Sequence, residues 1–276
     1  MQQKLTKNPP KYLLEYKTFV LNEGGNAFPE TVSVKREDIQ RIVAEFNDKV
    51  VQGILGSQPG EPIGSWKQKP ISGDIDCLVY TDLELAKIVE MCKAQGIDAK
   101  AFYGFNIVST NFTPTNHEPV QIDIFVRPET ANKEATDIFY KNIEEDPDTT
   151  KHRVYFLFTV LDSRKEDIEG DPASPSKFTG YMLRPDGLYK IVKEMKKVNY
   201  KIMDRQLIAE SAEDMAKAIF GQPLPFSEWN TFKKTFDLFI KSPLYPNKQE
   251  IIVAYTEKLK EEGLPLPTSV TLDSYI

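Results

Sequence analysis

Residues 64–81 read GSWKQKPISGDIDCLVYT, and residues 120–128 read VQIDIFVRP. In the first stretch Asp74 and Asp76 stand two apart among the apolar residues Ile75, Cys77 and Val79. The β-branched content predicts a strand. A period of two then puts both carboxylates on one face and the apolar side chains on the other. The second stretch repeats the pattern, with Gln121, Asp123 and Phe125 on one face and Ile122, Ile124 and Val126 on the other. A carboxylate in mid-strand between branched apolar neighbours is costly unless compensated. Three of them on one small sheet also repel one another. Divalent cations resolve both problems, because Asp oxygens are hard ligands suited to Mg²⁺ or Mn²⁺. Gly64-Ser65 lies upstream with Lys67 and Lys69 behind it. Such a turn offers backbone N–H and hydroxyl donors to phosphate oxygens, and glycine allows the close approach.

Working outward, Ile39, Ile42, Val43, Phe46 and Val50 follow helical spacing over 36–50. Gly56-Ser57, in ILGS, is a rival to Gly64-Ser65 for the phosphate turn. After the first Asp-bearing strand, Thr81-Asp82-Leu83-Glu84 has the spacing of a capping box. Leu85, Ile88, Val89 and Cys92 stripe the helix behind it, and Gly96 is placed to stop that helix. AFYGFNIVSTNF (101–112) and VQIDIFV read as two further strands. Residues 1–32 are interrupted by proline and predict no element. The order describes an α/β unit with a core at 36–130 and a boundary near 145.

The remainder, 146–276, reads as helix-rich. VYFLFTVL (154–161) lies between Asp/Pro-rich loops and fits helix or strand equally. Leu188, Ile191, Val192 and Met195 predict a helix whose opposite face carries Lys190, Lys193, Lys197 and Lys201. Lys196 and Arg205 add to this one basic concentration, a candidate surface for an acceptor's phosphates. Tyr181, Arg184 and Tyr189 are candidates for stacking on a base, although aromatic residues near a turn more often pack in a core. Met215 and Ile219 mark a helix begun by Ser211 and ended by Gly221. Trp229, Phe232, Phe236, Phe239 and Ile240 mark another behind Ser227, and a last helix runs from about Pro246 to Glu262. His117 and His152 fall in polar loops and read as exposed.

Composition narrows the function classes. The chain has 276 residues, 40% hydrophobic and 28% charged, with a net charge of −6. Acidic residues outnumber basic ones in both halves, so a general nucleic-acid coat is excluded and such binding requires a local patch. No run reaches the ~20 apolar residues of a membrane helix, and no secretory signal is visible. With Cys77 and Cys92 alone, a disulfide framework is excluded, and a reduced, cytoplasmic setting is expected. No zinc-type Cys/His spacing occurs.

Taken together, GSWKQKPISGDIDCLVYT and VQIDIFVRP resemble the signature of the DNA-polymerase-beta-like nucleotidyltransferase superfamily. That signature is a Gly-Ser turn, a short basic stretch, a GDID motif on a strand, and a later strand with a third Asp. The resemblance covers 36–130 and implies a mixed sheet with helices on one side in 1–145; with the mostly helical domain read from the stripes of 146–276, the expected fold is α+β. It implies Asp74, Asp76 and Asp123 as catalytic ligands of two Mg²⁺ or Mn²⁺ ions, with Asp123 assisting as general base. Gly64, Ser65, Lys67 and Lys69 would hold the nucleoside triphosphate. The expected activity is nucleotidyl transfer from an NTP or dNTP to a hydroxyl, with a nucleic-acid 3′ end favoured by Lys190, Lys193 and Lys197. An antibiotic- or toxin-type enzyme acting on a small molecule or protein, or a catalytically silent nucleotide-binding module, are the alternatives. The chain lacks a helix-hairpin-helix pattern and a lyase-type basic N-terminal domain, which weighs against a repair polymerase.

Overall fold

The computed structural model describes residues 27–64, 66–67, 69–104, 106–141, 143, 146–164, 166–167, 177–196 and 199–275. The described chain forms two compact units that divide between Ala131 and Asn132, earlier than the boundary near 145 expected from composition. The elements are α+β in both units.

In the first unit, β1 (Val34–Lys35) leads into α1 (Arg36–Phe46), which continues as a π-turn over Asn47–Gln52. Then come β2 (Glu61–Pro62), β3 (Ile71–Ser72), β4 (Ile75–Tyr80), α2 (Leu85–Ala94), β5 (Asp98–Phe102), β6 (Ile107–Phe112) and β7 (Val120–Arg127). AFYGFNIVSTNF is thus a hairpin rather than one strand, turned at Asn106 in the left-handed region (φ 55°), which Asn tolerates. Five strands make a mixed sheet in the order β2-β4-β7-β6-β5. β4 and β7 run parallel, with Asp76 opposite Asp123, and β6 is antiparallel to β7, with Ser109 opposite Asp123.

The period-two pattern divides the sheet's faces as the sequence predicts. Ile75, Cys77, Val79, Val108, Ile122, Ile124 and Val126 form a core with Ile39, Ile42, Val43 and Phe46 of α1 and Leu85, Ile88 and Cys92 of α2. Each fully buried side chain of this size contributes about 1.5–3 kcal/mol of transfer free energy. The helix at 85 opens without the expected capping box. Glu84 is its N-cap and makes no side-chain cap bond, while Thr81 Oγ1 instead accepts from Leu83 N at 3.3 Å. Gly96 (φ 77°) ends it as expected.

The other face carries the polar residues, and a segment with no sequence signature crosses it. Ala27 N donates to Gln121 Oε1 at 3.0 Å, and Asn111 Nδ2 donates to Glu30 Oε1 at 2.6 Å. Val32 N donates to Pro119 O at 2.9 Å. Phe28 is buried under Lys100, whose Nζ lies 4.3 Å from the ring centroid. Residues 27–32 therefore form a strap over one end of the sheet.

The second unit comprises α3 (Lys133–Tyr140), α4 (Thr150–Asp162), β8 (Glu166–Asp167), β9 (Lys177–Arg184), β10 (Gly187–Lys196), β11 (Asn199–Ala209), α5 (Ala212–Phe220), α6 (Phe232–Lys241) and α7 (Lys248–Glu261). VYFLFTVL is helical, within α4, and is buried nearly all round, which is why no amphipathic period showed. Phe156 of α4 sits in an aromatic cluster with Phe232, Phe236, Phe239 and Tyr255, at centroid distances of 5.1 to 5.6 Å. The Trp229-to-Phe239 stripe is core, as expected. Its helix starts later than Ser227, with Thr231 Oγ1 accepting from Lys234 N as N-cap. Ser211 and Gly221 (φ 88°) bound α5 as the sequence indicated.

Three expectations for this unit are overturned. It is not mostly helical, because β8 to β11 form a four-stranded antiparallel sheet. The expected lysine-striped helix is β10, hydrogen-bonded to β9 on one side and β11 on the other. Leu188 pairs with Leu183 and joins the unit's core, while Ile191 pairs with Gly180. Residues three apart lie on opposite faces of a strand, so a spacing that mimics a helical stripe here serves both faces of a sheet. His152 is also not exposed: it is buried, with Nε2 2.9 Å from Pro265 O.

Candidate metal centre

β4 and β7 are neighbours in parallel, so Asp76 and Asp123 stand side by side on the face opposite the helices. Asp74 precedes β4 by one residue and keeps the same two-residue spacing from Asp76. One carboxylate oxygen from each of Asp74, Asp76 and Asp123 lies within 4.8 Å of the other two. Asp123 is 4% exposed, and Asp74 and Asp76 are partly buried. The spacing therefore did what the sequence required of it: three carboxylates converge from two strands.

The turn before Asp74 reaches the same place. Ile63 N donates to Asp76 O at 2.9 Å. Gly64 has φ +78°, and a Cβ there would lie 2.6 Å from Asp76 Oδ2. Both backbone conformation and space therefore demand glycine. The rival Gly56 (φ +67°) has no atom within 4 Å of where its Cβ would be, and Ser57 N closes a turn onto Val51 O. Of the two turns, the one at Gly64 abuts the carboxylates. Ser65 lies outside the described residues. Lys69 is exposed, and its charge is felt at Asp76. Lys67 Nζ lies 5.6 Å from the Trp66 ring centroid, and its carbonyl accepts from Arg36 Nη1 at 3.1 Å.

The electrostatics show the cost of the arrangement. Burial, then Asp74, then Asp123 push the Asp76 carboxyl well above the usual carboxylate range, against a smaller pull from Lys69. Burial and then Asp74 push Asp123 up to about 6, although Ser109 and Gln121 donate to it. The Gln121 bond, Nε2 to Oδ1, is 3.0 Å long. Three close carboxyls of this kind repel as anions, and a divalent cation is the group that lets them ionise together. The all-oxygen donor set and the mutual reach of the carboxylates fit Mg²⁺ or Mn²⁺. The cysteines take no part: burial pushes the Cys77 thiol up to about 12 and the Cys92 thiol up to about 11.

The expected acceptor residues do not form a basic helix face. Lys190 and Lys193 lie on opposite faces of β10, and Lys193 is buried with Nζ 5.8 Å from the Phe178 ring centroid. Lys197 lies outside the described residues. Of the candidate stacking residues, Arg184 and Tyr189 both bond to Asp186, and Tyr181 lies under Arg164. Sequence reasoning placed Gln121 on the Asp123 face without giving it a role, and it missed Ser109 and the strap. The only signal for Gln121 was its two-residue spacing from Asp123; Ser109 required the β6–β7 register.

The amino-acid sequence matches no family model and no curated protein. Among the described residues no helix is long and apolar enough to cross a membrane.

Proposed function

We propose that the first unit is a metal-dependent nucleotidyltransferase. It moves a nucleoside monophosphate from an NTP or dNTP to a hydroxyl and releases pyrophosphate. The observation that carries this reading is the convergence of Asp74, Asp76 and Asp123 within 4.8 Å, against a turn where Gly64 touches Asp76. Asp74, Asp76 and Asp123 would hold two Mg²⁺ or Mn²⁺ ions, which when bound would supply charge neutralisation and a lowered pKa for the attacking hydroxyl. The chain's residues do the rest. Asp74 and Asp76 would hold the ions from β4 and the residue before it, and Asp123 from the neighbouring strand. Asp123, beside Asp76 on the neighbouring strand, would also be placed to take the proton of the acceptor hydroxyl. The turn at Gly64-Ser65 receives the triphosphate oxygens on backbone N–H groups, and Lys67 and Lys69 balance their charge.

The acceptor is named by its reacting group, a hydroxyl. The preference for a nucleic-acid end requires a basic helix, and Lys190 and Lys193 are strand residues. A direct test incubates the protein with Mg²⁺ or Mn²⁺ and each α-labelled NTP, alone and with RNA, DNA, protein and small-molecule hydroxyl acceptors. Label transfer is expected, and Asp123→Ala should lower it by at least ~1000-fold, about 4 kcal/mol of barrier. No transfer and no NTP binding, with Asp123→Ala behaving like the parent, would sink the reading.

A further inference from the structure

Asp123 is held from two sides, and one holder is itself held. Gln121 is 4% exposed and stands two residues from Asp123 on the same face of β7. Its Oε1 accepts from Ala27 N at 3.0 Å, and its Nε2 donates to Asp123 Oδ1 at 3.0 Å. A backbone N–H can only donate, so Ala27 fixes which end of the amide carries oxygen. The NH₂ end must then face Asp123. Ser109, 2% exposed and opposite Asp123 on β6, donates to the same carboxylate.

A carboxylate's terminal torsion is soft, and Asp74 and Asp76 repel Asp123 into other orientations when the site carries no cation. The Gln121 amide opposes that drift by occupying Oδ1. Its own freedom is removed by the strap, which is anchored by buried Phe28, by Asn111 Nδ2 donating to Glu30 Oε1, and by Lys100 donating to Ala27 O. We infer that Gln121 is a positioning residue for Asp123, setting the carboxylate for metal through an amide whose orientation is dictated by the strap at Ala27. The inference rests on the metal reading above. Residues that orient metal ligands typically change metal affinity 10–100-fold when replaced.

The test is Mn²⁺ titration of the full chain, followed by the EPR signal of free and bound Mn²⁺, with circular dichroism as a check on folding. Gln121→Met keeps the length and removes both hydrogen bonds. It should weaken Mn²⁺ binding about 10–100-fold and alter the bound-Mn²⁺ line shape, which reports ligand geometry. Ala27→Pro removes the strap's donor, sets the ring Cδ against Gln121 Oε1, and lies away from the carboxylates, so it stays informative if Gln121→Met folds poorly. It should weaken binding several-fold in the same direction. Parent-like affinity and line shape in both variants would overturn the positioning role while leaving the metal site standing. If the parent binds no Mn²⁺ and matches Asp123→Asn, the metal reading fails and the inference falls with it.

Discussion

The protein buries carboxylates in two places, and Asp148 in one and Asp123 in the other are shifted in opposite directions. In the second unit Asp148 receives Thr268 N and Oγ1 on one oxygen and Ser269 N and Oγ on the other. Those bonds outweigh its burial and hold it below the usual carboxylate range. Its neighbour Asp146 receives Phe232 N at 2.8 Å and Asp148 N at 3.2 Å, yet burial still raises its carboxyl above the usual range, against those bonds and the Arg153 charge. In the first unit Asp76 and Asp123 are pushed up instead, because burial and one another outweigh the donors they have. Buried acid by itself is therefore no sign of a site. Asp148 is a staple for the chain at 268–269, whereas Asp76 and Asp123 are held where burial and neighbouring carboxylates raise them.

Replacement should separate the two most strongly. Asp148→Ala leaves buried donors at Thr268 and Ser269 without their charged acceptor, and it should cost about 3 kcal/mol of stability, read from urea unfolding. Asp123→Asn should cost nothing, or stabilise the metal-free protein at neutral pH, because it removes a repelled charge. Equal destabilisation by both would erase the contrast.

Acid should act on the two sites with opposite sign. In the folded chain Asp123 keeps its proton up to about 6, against 3.8 ordinarily. A raised carboxylate contributes stability that is complete below 3.8 and lost as pH rises through about 6. Asp148, being lowered, contributes stability above its ordinary value and loses it in acid. The advantage of Asp123→Asn over the parent, both without metal, should be on the order of 2 kcal/mol at pH 7.5 and vanish by about pH 4. Saturating Mg²⁺ or Mn²⁺ at pH 7.5 should reverse it. An advantage independent of pH would show that the carboxyl is not repelled.

The smallest effect expected is at Gly64. Gly64→Ala puts a methyl against Asp76 Oδ2 in a left-handed conformation. It should cost about 1–2 kcal/mol and weaken Mn²⁺ binding, whereas Gly56→Ala, strained but in open space, should leave binding unchanged. A metal response at Gly56 would shift the phosphate turn to the rival pair.

Much of the first unit was legible because its signals are local. Alternation around Asp74, Asp76 and Asp123 determined which face each strand buries, and the register of parallel β4 and β7 then brought the three together. Gly96 and Gly221 act at helix ends through their own backbones, and Ser211 through an Oγ that accepts from Asp214 N three residues on, so their meaning survived translation into structure. The second unit was misread where locality fails. Leu188, Ile191 and Val192 satisfy a helical spacing, but β9 and β11 on either side claim them as a strand, and pairing partners distant in sequence leave no trace in the period. Thr81 had the spacing of a cap and turned its hydroxyl to Leu83 N instead.

The amino-acid sequence thus determined the chemistry available: three strand carboxylates, a glycine turn, and no basic coat. Only the tertiary structure decided which glycine turn meets the carboxylates, that Gln121 and Ser109 hold Asp123, and that a strap from Ala27 sets the Gln121 amide. The physical reason is one of range. Side-chain alternation is written into adjacent residues, whereas a hydrogen bond from Ala27 to Gln121 spans 94 positions and exists only once the sheet has brought both ends together.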